Sequence, residues 1–111
     1  MDRQKIIAVD FDGTLCTNAY PRIGYPIFYV MDYVKKRQAA GDILILWTCR
    51  TGKDLDDAVR WCAARGLRFD YVNENAKENT AEYQNDCRKV FADVYIDDKA
   101  MHVRDIPEGR G

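Results

Sequence analysis

The sequence contains one histidine, His102, and its four cysteines, Cys16, Cys49, Cys62 and Cys87, form no C-x-x-C pair. So few soft ligands speak against a zinc centre. Cysteines set within apolar segments read as buried thiols rather than as a disulfide framework. Charge of one sign is missing as well: 17 Lys and Arg against 18 Asp and Glu leave a formal charge of -1. No polybasic run announces nucleic acid or a membrane surface. The densest basic cluster, Lys35-Lys36-Arg37, falls at the end of a predicted helix, where cations complement the helix dipole. No apolar stretch approaches the roughly 18 residues of a membrane span. The run that follows residues 1–5 is too short for a signal sequence, so a cytoplasmic location is expected.

The 111 residues, 47% hydrophobic and 32% charged, suit one globular domain. Folding at this length buries roughly 60 to 70% of the extended chain's surface, enough for one core and one cleft but not for a separate lid domain. Short β-rich runs alternate with helical patterns, which is the signature of an α/β domain with a mainly parallel sheet. Ile6, Ile7, Ala8 and Val9 make residues 5–11 a strand covered on both faces. Ile27, Val30, Met31 and Val34 recur at helical spacing across residues 25–40, with Gly41 as a stop. Residues 43–47 form the second strand. A helix with Leu55, Ala58, Val59 and Cys62 on one face follows, ending at Gly66. Residues 67–72 and 94–96 read as strands three and four, with a short helix expected at 81–87 and an edge strand at 102–106. Residues 108–111 look like a frayed tail. Trp47, Trp61 and Phe69 read as core.

Parallel strands joined by right-handed crossovers all point their C-terminal ends the same way, and open α/β sheets place their sites there. The polar residues collect at those ends: Asp10-Phe11-Asp12-Gly13-Thr14 after strand one, Thr48-Cys49-Arg50 after strand two, and Asp97-Asp98 after strand four. Four converging carboxylates repel one another unless a cation neutralises them. An all-oxygen donor set with water completing the shell favours Mg²⁺ over zinc or copper. A calcium-binding loop starting at Asp10 fails on spacing, because its twelfth position is Pro21 where a glutamate is required. Arg50 reads either as a rim residue that clamps an anionic or planar substrate group or as a surface arginine. Tyr20 or Arg22, in the loop after the first strand, is a further candidate for substrate contact. Asn73-Glu74-Asn75 reads as a turn or as part of the cleft.

From Ile6 to Asp98 this pattern resembles the haloacid dehalogenase superfamily of phosphotransferases: D-x-D-G-T after a buried strand, a threonine closing the second strand, a late lysine, and an acidic pair closing the fourth strand. The resemblance implies a three-layer sandwich with a Rossmann-like, mainly parallel central sheet. It implies that Asp10 is the nucleophile forming an aspartyl-phosphate, and that Asp12 is the acid and base for the leaving oxygen and the attacking water. Thr48 and the backbone amide of Cys49 would hold a phosphoryl oxygen, and a lysine would offset the charge. That lysine is Lys89 or, less favoured, Lys77. Mg²⁺ would be held by Asp10, the backbone carbonyl of Asp12, and Asp97 and Asp98, one of the pair directly and the other through water.

The windows at residues 14–26 and 73–89 hold a flap and a short helix at most, so no cap domain is expected. An open site suits a phosphorylated substrate that is a small molecule or the terminal phosphate of a larger one, with nucleic acid only as substrate and cover from a homo-oligomer conceivable. The reading from another class is a non-catalytic phospho-acceptor or interaction module resembling a receiver domain. Receivers, however, carry their phosphorylated aspartate after the third strand, where this chain has Val72-Asn73.

Overall fold

The computed structural model describes residues 4–77 and 89–107. The elements in chain order are β1 (Ile6–Val9), β2 (Cys16–Ala19), β3 (Arg22–Pro26), α1 (Phe28–Ala39), β4 (Ile43–Leu46), α2 (Gly52–Ala64), β5 (Tyr71–Val72) and β6 (Val94–Ile96), with a final 3-10 turn at Val103–Asp105. Four strands form one parallel sheet in the order β5-β4-β1-β6. The α/β class and the mainly parallel sheet expected from the sequence are what the chain adopts.

Register sorts the side chains. Ile7 and Val9 of β1 pair with Leu44 and Leu46 of β4, while Ala8 lies opposite Ile45 and Tyr95. Because alternate residues point to opposite faces, the first set joins Phe11, Leu15, Met31, Val34, Ala58, Cys62 and Leu67 in one buried cluster. Helices α1 and α2 therefore cover the same face. Ala8 and Ile45 pack with Val90 and Ala92 on the other face, with Trp47 and Tyr71 against them. Both faces of β1 are buried, which is why its sequence is apolar without alternation. The helix expected at 81–87, Cys87 and the tail at 108–111 lie outside the described residues, and with them the third layer.

The lower rim of the sheet is sealed by aspartates that precede strands. Asp42 accepts from the amide of Lys5 at 2.9 Å, Asp93 from that of Ile6 at 2.7 Å, and Asp70 from that of Leu44 at 2.8 Å. Each satisfies a donor that the ladder leaves over.

The structure corrects four local expectations. The third strand shrinks to Tyr71–Val72, because Leu67 leaves α2 directly into the core, where it is fully buried. Residues 102–106 make no edge strand: His102 Nδ1 accepts from the Arg104 amide at 3.1 Å and bends the backbone into the 3-10 turn. The flap after β1 is an antiparallel hairpin, β2–β3, with a register shift between Cys16 and Asn18. Its strands approach so closely that a Cβ on Gly24 would stand 2.1 Å from the Thr17 carbonyl oxygen. Cys16 and Cys62 are buried as expected, but Cys49 is exposed. Trp47, Trp61 and Phe69 all pack against the two clusters. No helix of the described residues is long and apolar enough to cross a membrane.

Candidate active site

The chain runs β1, β4, β5 to one side and then returns to place β6 on the other side of β1. The strand order therefore reverses between β1 and β6, and a crevice opens beyond their C-terminal ends. The residues that close these strands are Asp10 and Asp97-Asp98. A cleft of about 470 Å³ lies there, lined by Asp10, Asp12, Asn18, Tyr20, Thr48, Cys49, Arg50, Asp97, Asp98 and Lys99.

Asp10 extends β1 by one residue, its amide donating to the Ile96 carbonyl at 2.9 Å. Its Oδ2 accepts from Thr14 Oγ1 at 3.2 Å. One carboxylate oxygen each from Asp10, Asp97 and Asp98 lie within 4.8 Å of one another. Burial and this crowding disfavour the charged form of Asp10. Burial foremost, opposed by a hydrogen bond from the Phe11 amide and reinforced by the Asp97 charge, pushes its pKa up to about 6.

The loop holding these groups winds around one carbonyl. Phe11 oxygen accepts from the amides of Thr14 (3.1 Å), Leu15 (2.9 Å) and Cys16 (3.4 Å). Gly13 makes the turn possible at φ +85°, and a Cβ there would stand 2.3 Å from Asp98 Oδ2. Glycine at this position lets the two acidic segments meet.

Thr48 follows β4. Its amide donates to Asn73 Oδ1 at 2.8 Å, and its hydroxyl oxygen accepts from the Arg50 amide at 3.2 Å. The hydroxyl proton is thereby left to point at another acceptor. Asn73 stands at positive φ, 55°, and is not among the residues that line the cleft; it lines a separate, smaller pocket beside it with Thr48 and Asp97. Asn75 is buried and accepts from the Phe91 amide at 2.6 Å, a structural role. Tyr20 stands at the mouth of the cleft, and Arg22 is not among the residues that line it.

Arg50 is not the rim residue that its polarity predicts. Its side chain is 1% exposed and forms a two-pronged ion pair with Asp12, Nε to Oδ2 at 2.8 Å and Nη2 to Oδ1 at 2.7 Å. Nη2 also donates to the Arg22 carbonyl at 2.9 Å, and Nη1 to those of Pro21 (3.1 Å) and Asp54 (3.4 Å). With every guanidinium nitrogen engaged, Arg50 is a brace rather than a substrate clamp.

The expected lysine is displaced too. Lys89 Nζ lies 5.7 Å from the centroid of the Tyr95 ring, and Lys89 is not among the residues that line the cleft. Lys77 borders a groove at the opposite rim. The lysine in the cleft is Lys99, whose backbone amide donates to Asp97 Oδ1 at 3.0 Å. The signal for it was the run Asp97-Asp98-Lys99, where an aspartate bonds the backbone two residues on.

Asp10, Asp97 and Asp98 offer only carboxylate oxygens, a donor set that fits a hard divalent cation such as Mg²⁺. The groove at the lower rim is larger, about 640 Å³. Several of its polar groups are occupied within the fold: Gln4 donates to the Gly41 carbonyl, Gln38 donates to the Gly66 carbonyl and accepts from the Arg68 amide, and Asp42 pairs with Arg37.

No protein-family model and no curated protein matches the chain. A solved structure does, that of a conserved protein coded by a locus from Bacteroides thetaiotaomicron, at 43% identity over 96% of this chain and 84% of the other, with a TM-score of 0.78. Identity at that level over nearly the whole length places the chain in the same family as this conserved Bacteroides protein.

Proposed function

We propose that the chain is an Mg²⁺-dependent phosphomonoester hydrolase of the haloacid dehalogenase type, without a cap, acting through an aspartyl-phosphate on Asp10. The observation that carries this reading is the convergence of Asp10, Asp97 and Asp98 beside Thr48 where the strand order reverses. A bound Mg²⁺, held by Asp10, the Asp12 carbonyl and the acidic pair, would supply charge neutralisation for the phosphoryl group and for Asp10.

An Asp10 oxygen attacks phosphorus, and the bond from phosphorus to the ester oxygen breaks. Asp12 enters this step protonated, its ion pair with Arg50 given up, and passes that proton to the leaving oxygen, so the alcohol leaves neutral. Water then attacks the aspartyl-phosphate and passes its proton to Asp12. The bond from phosphorus to Asp10 breaks, and inorganic phosphate leaves. Thr48 Oγ1 and the Cys49 amide hold a phosphoryl oxygen, and Lys99 supplies the cation at the cleft. The substrate is a small phosphomonoester or a terminal phosphate of a larger molecule, met in the cytoplasm. A second copy of the chain covering the site is part of the same reading.

Purified protein with Mg²⁺ is expected to release phosphate from an aryl phosphate, and Asp10→Asn to abolish the release. Equal rates for the two proteins overturn the assignment. A stable adduct on Asp10 without turnover points instead to a non-catalytic phospho-acceptor.

A further inference from the structure

The two helices that cover one face of the sheet meet solvent differently. The outward residues of α2 include Lys53, Asp56 and Arg60, the polar side that a surface helix normally shows. Those of α1 include Phe28, Tyr29, Asp32, Tyr33 and Lys36, which recur at helical spacing and make the first half of the helix an aromatic stripe. Tyr25, where β3 leads into the helix, adds a fourth ring. Tyr25 is 81% exposed, Tyr29 80%, Phe28 67% and Tyr33 49%.

An enclosed aromatic side chain buries about 150–250 Å², so these four leave roughly 550 Å² of side-chain surface in water. That lies at the upper end for the largest apolar patch of a monomer. It is also about two-thirds of the roughly 800 Å² that one partner contributes to a stable interface, and Asp32, Lys36 and the surrounding rim supply the remainder. Rings at the centre with charges at the edge is the composition of a protein interface.

The charges say what fits. The stripe holds one acid and one base, Asp32 and Lys36, so it offers a strongly charged partner nothing, whereas a second copy complements it. In a parallel pair, Asp32 would stack on Asp32 and Lys36 on Lys36. Antiparallel pairing avoids this, because the rings lie in the first half of the helix and Lys36 lies beyond them. With the twofold axis at the level of Val30 and Met31, the middle of the cluster, Phe28 stands level with the partner's Tyr33 and Tyr29 with the partner's Asp32, an acceptor for its hydroxyl. The helix entry, with Tyr25, stands level with the partner's Lys36, a cation for its ring.

We propose that the chain forms a twofold-symmetric dimer through the aromatic stripe of α1, the two helices antiparallel. Such an interface is isologous: the same patch serves both copies and closes the assembly at two. The pairing goes beyond the hydrolase reading and stands without it, since no residue that carries the proposed reaction takes part.

The test is sedimentation equilibrium of the full chain. At about 100 µM the wild type is expected at twice its 12.8 kDa, with a dissociation constant below about 10 µM. Replacing Tyr29 and Tyr33 with serine should raise that constant at least about 10²-fold, because each loss counts twice across the axis. Val103→Ser, in the other exposed apolar stretch formed by Met101, Val103 and Ile106, should change it less than about threefold. A wild type that stays monomeric, a dimer indifferent to the tyrosines, or one that Val103→Ser dissolves overturns the proposal. If the double variant fails to melt cooperatively, Lys36→Glu decides: it makes both stripes acidic and should weaken association about tenfold, and unchanged association overturns the pairing. Spin labels on Ala39→Cys, with Cys49 and Cys87 replaced by serine, read the orientation. Antiparallel helices about this axis hold the labelled backbones on the order of 25 Å apart, and a separation near the roughly 10 Å between neighbouring helices overturns that arrangement.

Discussion

Asp10 carries the proposed chemistry, and its surroundings oppose its own charge. Its folded pKa of about 6 stands above the usual 3.8, because burial and the Asp97 charge outweigh the hydrogen bonds it receives. Between these values the native chain holds a proton that the unfolded chain has lost. The contribution to stability is therefore whole below 3.8 and disappears as pH rises through about 6. In metal-chelating buffer, the wild-type melting temperature should fall relative to that of Asp10→Asn between these two pH values and run parallel above them. Parallel curves throughout would mean that Asp10 is no more hindered than a surface carboxylate. The sequence made Asp10, Asp12, Thr48, Asp97 and Asp98 legible, since each closes or follows a strand that its apolar run marks out. It could not show which way the Cys49-Arg50 step turns. The outcome inverts ordinary hydrophobicity, with cysteine out and arginine in, and partners mostly remote in sequence, Asp12, Pro21 and Arg22, make a buried guanidinium tolerable.

The strands and helices were readable where period and burial agree. Ile43–Leu46 is buried on both faces and apolar throughout, and α2 keeps its one-sided stripe. The β2–β3 hairpin was not readable as strands, because Cys16–Ala19 and Arg22–Pro26 lack a clean alternation and stand off the main sheet. The loop after β6 also mattered more than its sequence promised. The Asp97 side chain takes the Lys99 amide and so carries Lys99 into the cleft, whereas Lys89 is held on the far face of the sheet over Tyr95. Replacing Lys99 with methionine should lower kcat/KM for phosphate release by about 10², the usual cost of losing one cationic or donor group at a phosphoryl centre. Lys89→Met should cost less than about threefold, within the range of a surface change. Steady-state kinetics on the two variants decide between them, and the reverse order would return the role to Lys89.

A cation held by Asp10, Asp97 and Asp98 would join the end of the first strand to the end of the last, so its binding energy acts on the whole fold rather than on one loop. The unfolded chain cannot bring those carboxylates together, and binding to the native state alone stabilises it by RT ln(1 + [L]/Kd), about 2.7 kcal/mol at a hundredfold excess over Kd. For a domain of this size that corresponds to a rise in melting temperature on the order of 10 °C. Magnesium titrated at neutral pH should therefore raise the transition of wild type and leave that of Asp98→Asn nearly flat. Asp42→Asn, at the opposite rim where the aspartate caps the Lys5 amide, should start from a lower transition but keep the full response. That contrast would separate the two sets of aspartates by function: those before the strands hold the sheet's edge, and those after the strands would hold an ion. A transition that ignores magnesium in wild type, or an Asp42→Asn protein that loses its response along with Asp98→Asn, would remove the physical basis for a metal at the upper rim.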